Sequence, residues 1–256
     1  MKVTPADLLS ALNAALGILA IILLIRFYPN TSYTIFLILV AVFVDGMDGI
    51  VARYTGTSSE RGAVVDSAAD SVSFCLAPAA LILATYFGFY KLNGVDVGRG
   101  LSTAVMALSA LTASIYACCG IFRLLRFVRR DLKLKHFRGL STPAGAITVI
   151  LITRAFQVQE SPLPSRLLPF TAFLFIISIS LLMVSNLPYP KIGGRSGIAL
   201  AAGVFIPMGI FYVLRRGGNT SSAYGIYAFM LYSGLALMLS YALSPFLFMR
   251  RKRLNG

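Results

Sequence analysis

The sequence predicts an all-α, polytopic integral membrane bundle of about eight transmembrane helices, with the N- and C-termini on the cytosolic side. Three observations carry that prediction. Apolar residues make up 57% of the chain and charged ones 12%, with a mean hydropathy of +0.81, a balance foreign to soluble domains of this length. The apolar residues gather into runs long enough to cross a bilayer. The basic residues between those runs favour alternate loops, as positive-inside sorting requires.

In order, the spans lie at 7–27, 33–54, 60–89, 100–127, 142–158, 165–185, 197–214 and 222–248. The first has little charge ahead of it and runs too long for a cleavable leader, so it reads as a spanning helix. The second and third flank the turn YTGTSSERG, where Thr57 with Glu60 fits a capping box that would start the third. The fourth ends in a basic run from Arg123 to Arg138, and the fifth is short and flanked by Pro143. Trp is absent, which leaves Tyr and Phe to form any interfacial belt. With the N-terminus inside, sixteen of the 23 Lys and Arg residues fall on the cytosolic face. No soluble domain, repeat or low-complexity linker interrupts the pattern, so 1–256 reads as a single transmembrane domain in the cell membrane.

A formal charge of +14 raises the question of nucleic acid. The basic residues sit in loops between apolar runs, so anionic lipid head groups answer the charge better, and no nucleic-acid partner is expected. Cys75, Cys118 and Cys119 lie inside apolar segments without metal-ligand spacing and read as small core residues.

The acidic residues are distributed quite differently. Asp45, Asp48, Glu60, Asp66 and Asp70 fall between Val44 and Asp70, out of only nine acidic residues in the chain. Asp45 and Asp48 are three apart and Asp66 and Asp70 four apart, so each pair shares a helix face. The two faces meet across a hairpin at the cytosolic rim. An ionised carboxylate at the bilayer centre costs about 2.5–3.5 kcal/mol on insertion scales, and four together also repel. Such a cluster needs a cation. Oxygen ligands without His or Cys point to two hard ions, Mg²⁺ or Mn²⁺, of the kind that hold a diphosphate.

Small residues accompany the carboxylates. Asp45, Gly49 and Ala52 form one helical stripe, and Gly62 precedes Asp66 by a turn. Glycine inside a helix costs about 1 kcal/mol against Ala, so it marks close approach, either of another helix or of a ligand lying on the backbone. Beside four carboxylates the ligand is favoured. Arg53 either steadies an Asp or a phosphate, or snorkels to the interface.

Asp45-x2-Asp48-Gly49-x2-Ala52-Arg53-x8-Gly62-x3-Asp66-x3-Asp70 resembles the signature of the CDP-alcohol phosphotransferase family at every fixed position. That resemblance implies transfer of a phosphatidyl-type group from a CDP-lipid to an alcohol, with release of CMP. It implies that Asp45, Asp48 and Asp66 bind the metal pair with a contribution from Asp70, and that Asp70 is the general base. Gly49, Ala52 and Gly62 would make room for the cytidine nucleotide, and a homodimer is expected. Further blocks resemble the phosphatidylserine synthase branch: SALNAALGILAI with Asn13 and Gly17, FRLLRF, FRGLSTPAGA and LMVSNLPYP. Val128 stands where that branch usually has Asn, and Ser141 where it has Pro. These blocks extend the resemblance over the core, residues 1–190, and leave a C-terminal helix pair, 191–256, matched mainly in hydropathy.

The implied reaction joins a CDP-diacylglycerol (or CDP-archaeol) to the hydroxyl of L-serine. A zwitterionic acceptor needs a cation for its carboxylate. Arg123, Arg126, Lys135 and Arg138 are candidates for that role or for the diphosphate, or are simply inside-positive loop charge. Asn13 and Asn186, polar at helix positions, either bond between helices or touch substrate, and His136 reads as a solvated loop residue. Inositol phosphate, glycerol phosphate or an amino alcohol are the alternative acceptors. Two other classes compete. An intramembrane prenyltransferase would carry two Asp-rich motifs on distant helices. A cation transporter would use the carboxylates as its ion path.

Overall fold

The computed structural model describes residues 5–55, 60–92, 98–131, 137–158, 168–189 and 232–245. Thr57, Lys135, His136 and the span expected at 197–214 lie outside the described residues. What is described is helical apart from short turns and one two-residue bridge. In chain order the helices are α1 (Pro5–Phe27), α2 (Ser32–Thr55), α3 (Glu60–Asp70), α4 (Ala77–Leu92), α5 (Gly98–Arg126), α6 (Thr142–Val158) and α7 (Leu168–Val184). A further helix, α8, covers 232–245.

α1 and α2 form a tight hairpin. Asn30 turns the chain: its N–H donates to Phe27 O, and its side-chain oxygen accepts from Ser32 N at 3.0 Å, satisfying an orphan donor at the start of α2. Thr34 Oγ1 donates to Ala20 O and ties the two helices partway along. α3 and α4 are one continuous rod interrupted by a π turn at Ser71–Leu76, directly after Asp70. A second π turn, Phe127–Asp131, follows α5. The bridge pairs β1 (Phe137–Arg138) antiparallel with β2 (Pro188–Tyr189), a strand contact the all-helical expectation did not include.

α6 is buried almost all round and forms the axis of the bundle. Ile147 and Ile150 join a core with Leu24 of α1, Leu39 of α2 and Leu81 of α4. Val149 and Ile152 face a second core shared with α4, α5 and α7. Pro143, which flanks the expected fifth span, sits in the first turn of α6, where a missing N–H costs no intrahelical bond.

Among the described residues, three helices are long and apolar enough to cross a membrane: Asp7–Phe27, Arg61–Tyr86 and Thr103–Arg130. α6 and α7 provide shorter apolar helices. Ile22 and Ile25 on α1, with Leu174 and Leu181 on α7, point away from the bundle, and such an apolar exterior suits hydrocarbon.

The π turn is where three helices meet most closely. A Cβ placed on Gly17 of α1 would lie 2.5 Å from Ser73 Oγ and 2.8 Å from Ser73 Cα. A Cβ on Gly120 of α5 would lie 2.5 Å from Cys75 Sγ. Only glycine permits the first approach, which meets backbone; at the second, the Cys75 side chain would have to move. Ser73 Oγ donates to Asn13 O at 2.7 Å, and Tyr116 OH donates to Phe74 O at 2.9 Å. The turn is therefore clamped from both sides, and the residue that precedes it is Asp70.

Candidate active site

Helical spacing delivers the carboxylates as pairs, and packing brings the pairs together. One oxygen each from Asp45 and Asp48 of α2 and Asp66 of α3 lie within 4.8 Å of one another. Asp70, 7% exposed, stands one turn beyond Asp66, with its carboxyl within hydrogen-bonding reach of Asp45. Carboxylates this close need a shared proton or a bound cation between them.

α1 supplies their hydrogen-bond donors. Ser10 Oγ donates to Asp48 Oδ2 at 3.0 Å, and Asn13 Nδ2 donates to Asp70 Oδ1 at 3.1 Å. Ser10, Asn13 and Gly17 lie three and four residues apart, so one face of α1 holds two carboxylates and the π turn at once. Asn13 is fully buried. It acts on Asp70 twice, through its side chain directly and through its backbone oxygen, which anchors Ser73.

The donor set fits a hard divalent ion. Every ligand atom is a carboxylate oxygen, the oxygens converge, and Asp66 Oδ1 is buried without a hydrogen-bond partner. An unsatisfied buried carboxylate oxygen is costly, and a cation removes that cost.

Residues 3–244 match the model of the CDP-alcohol phosphatidyltransferases. The chain belongs to that family. Among its relatives is a protein of Methanocaldococcus jannaschii named CDP-diacylglycerol–serine O-phosphatidyltransferase. It is 35% identical over 189 residues, covering 74% of this chain and 75% of the relative. An archaetidylserine synthase of Methanothermobacter thermautotrophicus is 33% identical over 190 residues, 73% of this chain and 70% of the relative. A CDP-diacylglycerol–serine O-phosphatidyltransferase of Helicobacter pylori is 32% identical over 193 residues, 72% and 71% of the two chains.

The other family positions are placed as follows. Gly49, Ala52 and Arg53 ride the last two turns of α2, and Gly62 is half-buried in the first turn of α3. The basic candidates separate. Arg123 is buried, 6% exposed, and donates through Nη1 to Thr142 Oγ1 at 3.1 Å. Arg126 spends its guanidinium on carbonyl oxygens: Val184 O at 2.6 Å, Arg138 O at 2.9 Å and Ser185 O at 3.1 Å. Arg138 has an exposed side chain on β1. Asn186 lies beyond the end of α7, exposed, with Oδ1 3.4 Å from Arg126 Nη1; the helix stops two residues short of it.

Sequence reasoning passed over Ser10, Ser73, Tyr116, Thr142 and Tyr241. Ser10 had a legible signal, because it shares a helical stripe with Asn13 and Gly17. Tyr241 had none: it lies in α8, far along the chain, and the ring of Tyr189 meets it at 5.5 Å.

Proposed function

We propose that this protein transfers the phosphatidyl-type group of a CDP-lipid, CDP-diacylglycerol or its archaeol counterpart, to the hydroxyl of L-serine and releases CMP. The observation that carries the reading is the meeting of Asp45, Asp48 and Asp66 beside a separately held Asp70, in a chain whose relatives are named for this reaction.

Asp45, Asp48 and Asp66, with a contribution from Asp70, would hold two Mg²⁺ or Mn²⁺ ions. When bound, such ions neutralise charge on the diphosphate and on the departing phosphate. The protein's own residues do the rest. Gly49, Ala52 and Gly62 leave the α2–α3 hairpin bare for the nucleotide, and Arg53 steadies a phosphate. Asp70 takes the proton of the serine hydroxyl. The hydroxyl oxygen forms a bond to the lipid-side phosphorus, the bond from that phosphorus to the bridging oxygen breaks, and CMP leaves with the bridging oxygen. Asn13 keeps Asp70 turned toward the acceptor, and Ser10 fixes Asp48.

A phosphorylated acceptor would demand several converging cations. Arg126 is committed to carbonyls and Arg138 points outward, so among the described residues Arg123 stands nearly alone beside the cluster, which favours a single carboxylate. The same reading places the site on the cytosolic side of a multi-pass cell-membrane protein, paired as a homodimer. The deciding experiment supplies a CDP-lipid with serine, inositol phosphate, glycerol phosphate or ethanolamine in turn and measures CMP. Serine-dependent release that is abolished by chelation and restored by Mg²⁺ or Mn²⁺ is expected. Release with another acceptor and none with serine refutes the acceptor, and ion flux without CMP refutes the enzyme.

A further inference from the structure

Turns that close from one residue to the fifth beyond it are rare in helices and gather at functional sites. The π turn Ser71–Leu76 begins directly after Asp70, the carboxylate that would take the acceptor's proton. Within it the N–H of Ala77 donates to Val72 O, five residues back, so the rod takes up one residue more than an α-helix would. One residue corresponds to about 100° of rotation. Asp70 stands seven residues before Ala77 and eleven before Leu81, about two and three α-helical turns. An unbroken helix would line Asp70 up with Ala77 and Leu81, which are buried in the core shared with α1, α2 and α6. The surplus residue takes Asp70 off that line, and Asp66, on the same face of α3, turns with it.

SVSFCL contains neither Gly nor Pro, and the turn is held from outside by buried groups. Ser73, Asn13 and Tyr116 are all fully buried. Ser73 Oγ donates to Asn13 O at 2.7 Å. Gly17, one turn beyond Asn13, leaves the room for this, since a Cβ there would lie 2.8 Å from Ser73 Cα. On the other side Pro78 has no N–H to offer Phe74 O, four residues back. Tyr116 OH supplies a donor to that carbonyl at 2.9 Å. The turn is thus fastened to α1 and to α5. α1 also carries the Asn13 amide that bonds Asp70 Oδ1 at 3.1 Å, so one helix grips both the turn and the carboxylate.

We propose that the π turn is the register device of the active site: its surplus residue, clamped by Ser73 and Tyr116, sets the rotation at which Asp66 and Asp70 meet Asp45 and Asp48. The inference rests on the transferase reading above and deepens it. Ser73 and Tyr116 are positioning residues, which act through Asp70 and need no contact with substrate.

The test removes the surplus residue first and the clamps second. Deletion of Val72 lets the rod run as plain α-helix and swings Asp66 and Asp70 about 100° relative to α4. CMP release should fall at least about 100-fold, the scale of loss when a reacting group is misplaced by an ångström. Mn²⁺ affinity of the purified protein, read by EPR without substrates, should weaken at least about 10-fold as the carboxylates part. Val72→Ala keeps the residue count and should keep both properties. Ser73→Ala and Tyr116→Phe also keep the count but loosen the clamp. Each should lower kcat per folded molecule by about 3–10-fold with both KM values unmoved, and they decide the matter if the deletion protein fails to accumulate. Near-normal Mn²⁺ binding and CMP release after the deletion overturn the proposal. So does a fall in Tm with kcat intact in the two clamp variants, which would make the turn a matter of stability alone. Wild-type protein that binds Mn²⁺ and releases no CMP with any acceptor sinks the transferase reading instead, and the Mn²⁺ comparison still judges the register.

Discussion

The acidic corner, where α1, α2 and α3 meet, and the basic corner, where α5 runs into the β1–β2 bridge, treat charge in opposite ways. At the basic corner the protein answers its own charge: Arg126 binds three carbonyl oxygens from the end of α7 and from β1. At the acidic corner three carboxylates converge, and Asp66 Oδ1 is buried with no partner. The difference separates two uses of an ionised side chain. A charge whose terminal nitrogens are taken up by carbonyls of the fold holds the fold together. One buried with bonding capacity in reserve is kept for something that arrives from outside. Arg123 stands between the two corners, donating to Thr142 Oγ1 at 3.1 Å.

The sharpest way to break this contrast is to remove one member of the acidic corner while keeping its shape. Asp70→Asn preserves volume and can still bond Asn13, so the bundle should assemble normally. If Asp70 is the general base, as proposed, CMP release should fall by about 10²–10⁴-fold, with the CDP-lipid KM little changed. Near-normal turnover in that variant would assign Asp70 to structure.

Arg126→Gln tests the other corner. It strips charge-assisted bonds from Val184 O, Arg138 O and Ser185 O. Hydrogen bonds to charged groups contribute about 1.5–3 kcal/mol each, and they are not additive, so a loss of about 3 kcal/mol is expected. A thermal melt in detergent reads it as a clear fall in Tm. Turnover per folded molecule should stay close to wild type. A rise in serine KM with Tm unmoved would mean that Arg126 binds substrate after all.

How much of this was legible in the sequence depends on the range of the interaction. The helical class was, because hydropathy is summed over whole helices and tolerates local error: the described residues are mostly helical, and three of their helices are long and apolar enough to cross a membrane. The convergence of Asp45, Asp48 and Asp66 was also legible, since it needs only helical spacing and one hairpin. The π turn after Asp70 was not, because SVSFCL carries no breaker. What packs against it lies at Gly17 and Gly120, distant in sequence, where α1 and α5 come close to it. The division between Arg123 and Arg126 was equally hidden. Three residues apart in FRLLRF they look alike, and only the position of β2 and α7 tells which one meets carbonyls. The Tyr189–Tyr241 contact depends on a return of the chain that no local pattern encodes.

The smallest expected effect belongs to Asn13, and it probes how the acidic corner is aimed. Its amide holds Asp70 at 3.1 Å, while its backbone oxygen receives Ser73 Oγ at 2.7 Å whatever the side chain. Asn13→Ala therefore removes the side-chain bond and leaves the clamp on the π turn. With that bond gone, Asp70 keeps its chemistry and loses its orientation. A single hydrogen bond to a charged group corresponds to a fall in kcat of about 10–100-fold. Both KM values should stay within a factor of about two if the Asn13 amide serves Asp70 alone. Asn13→Ser should recover part of the rate if its shorter hydroxyl still reaches Asp70. If serine KM rises with kcat intact, Asn13 touches the acceptor, and the polar stripe of α1 is part of the binding surface and not the mount that holds the base.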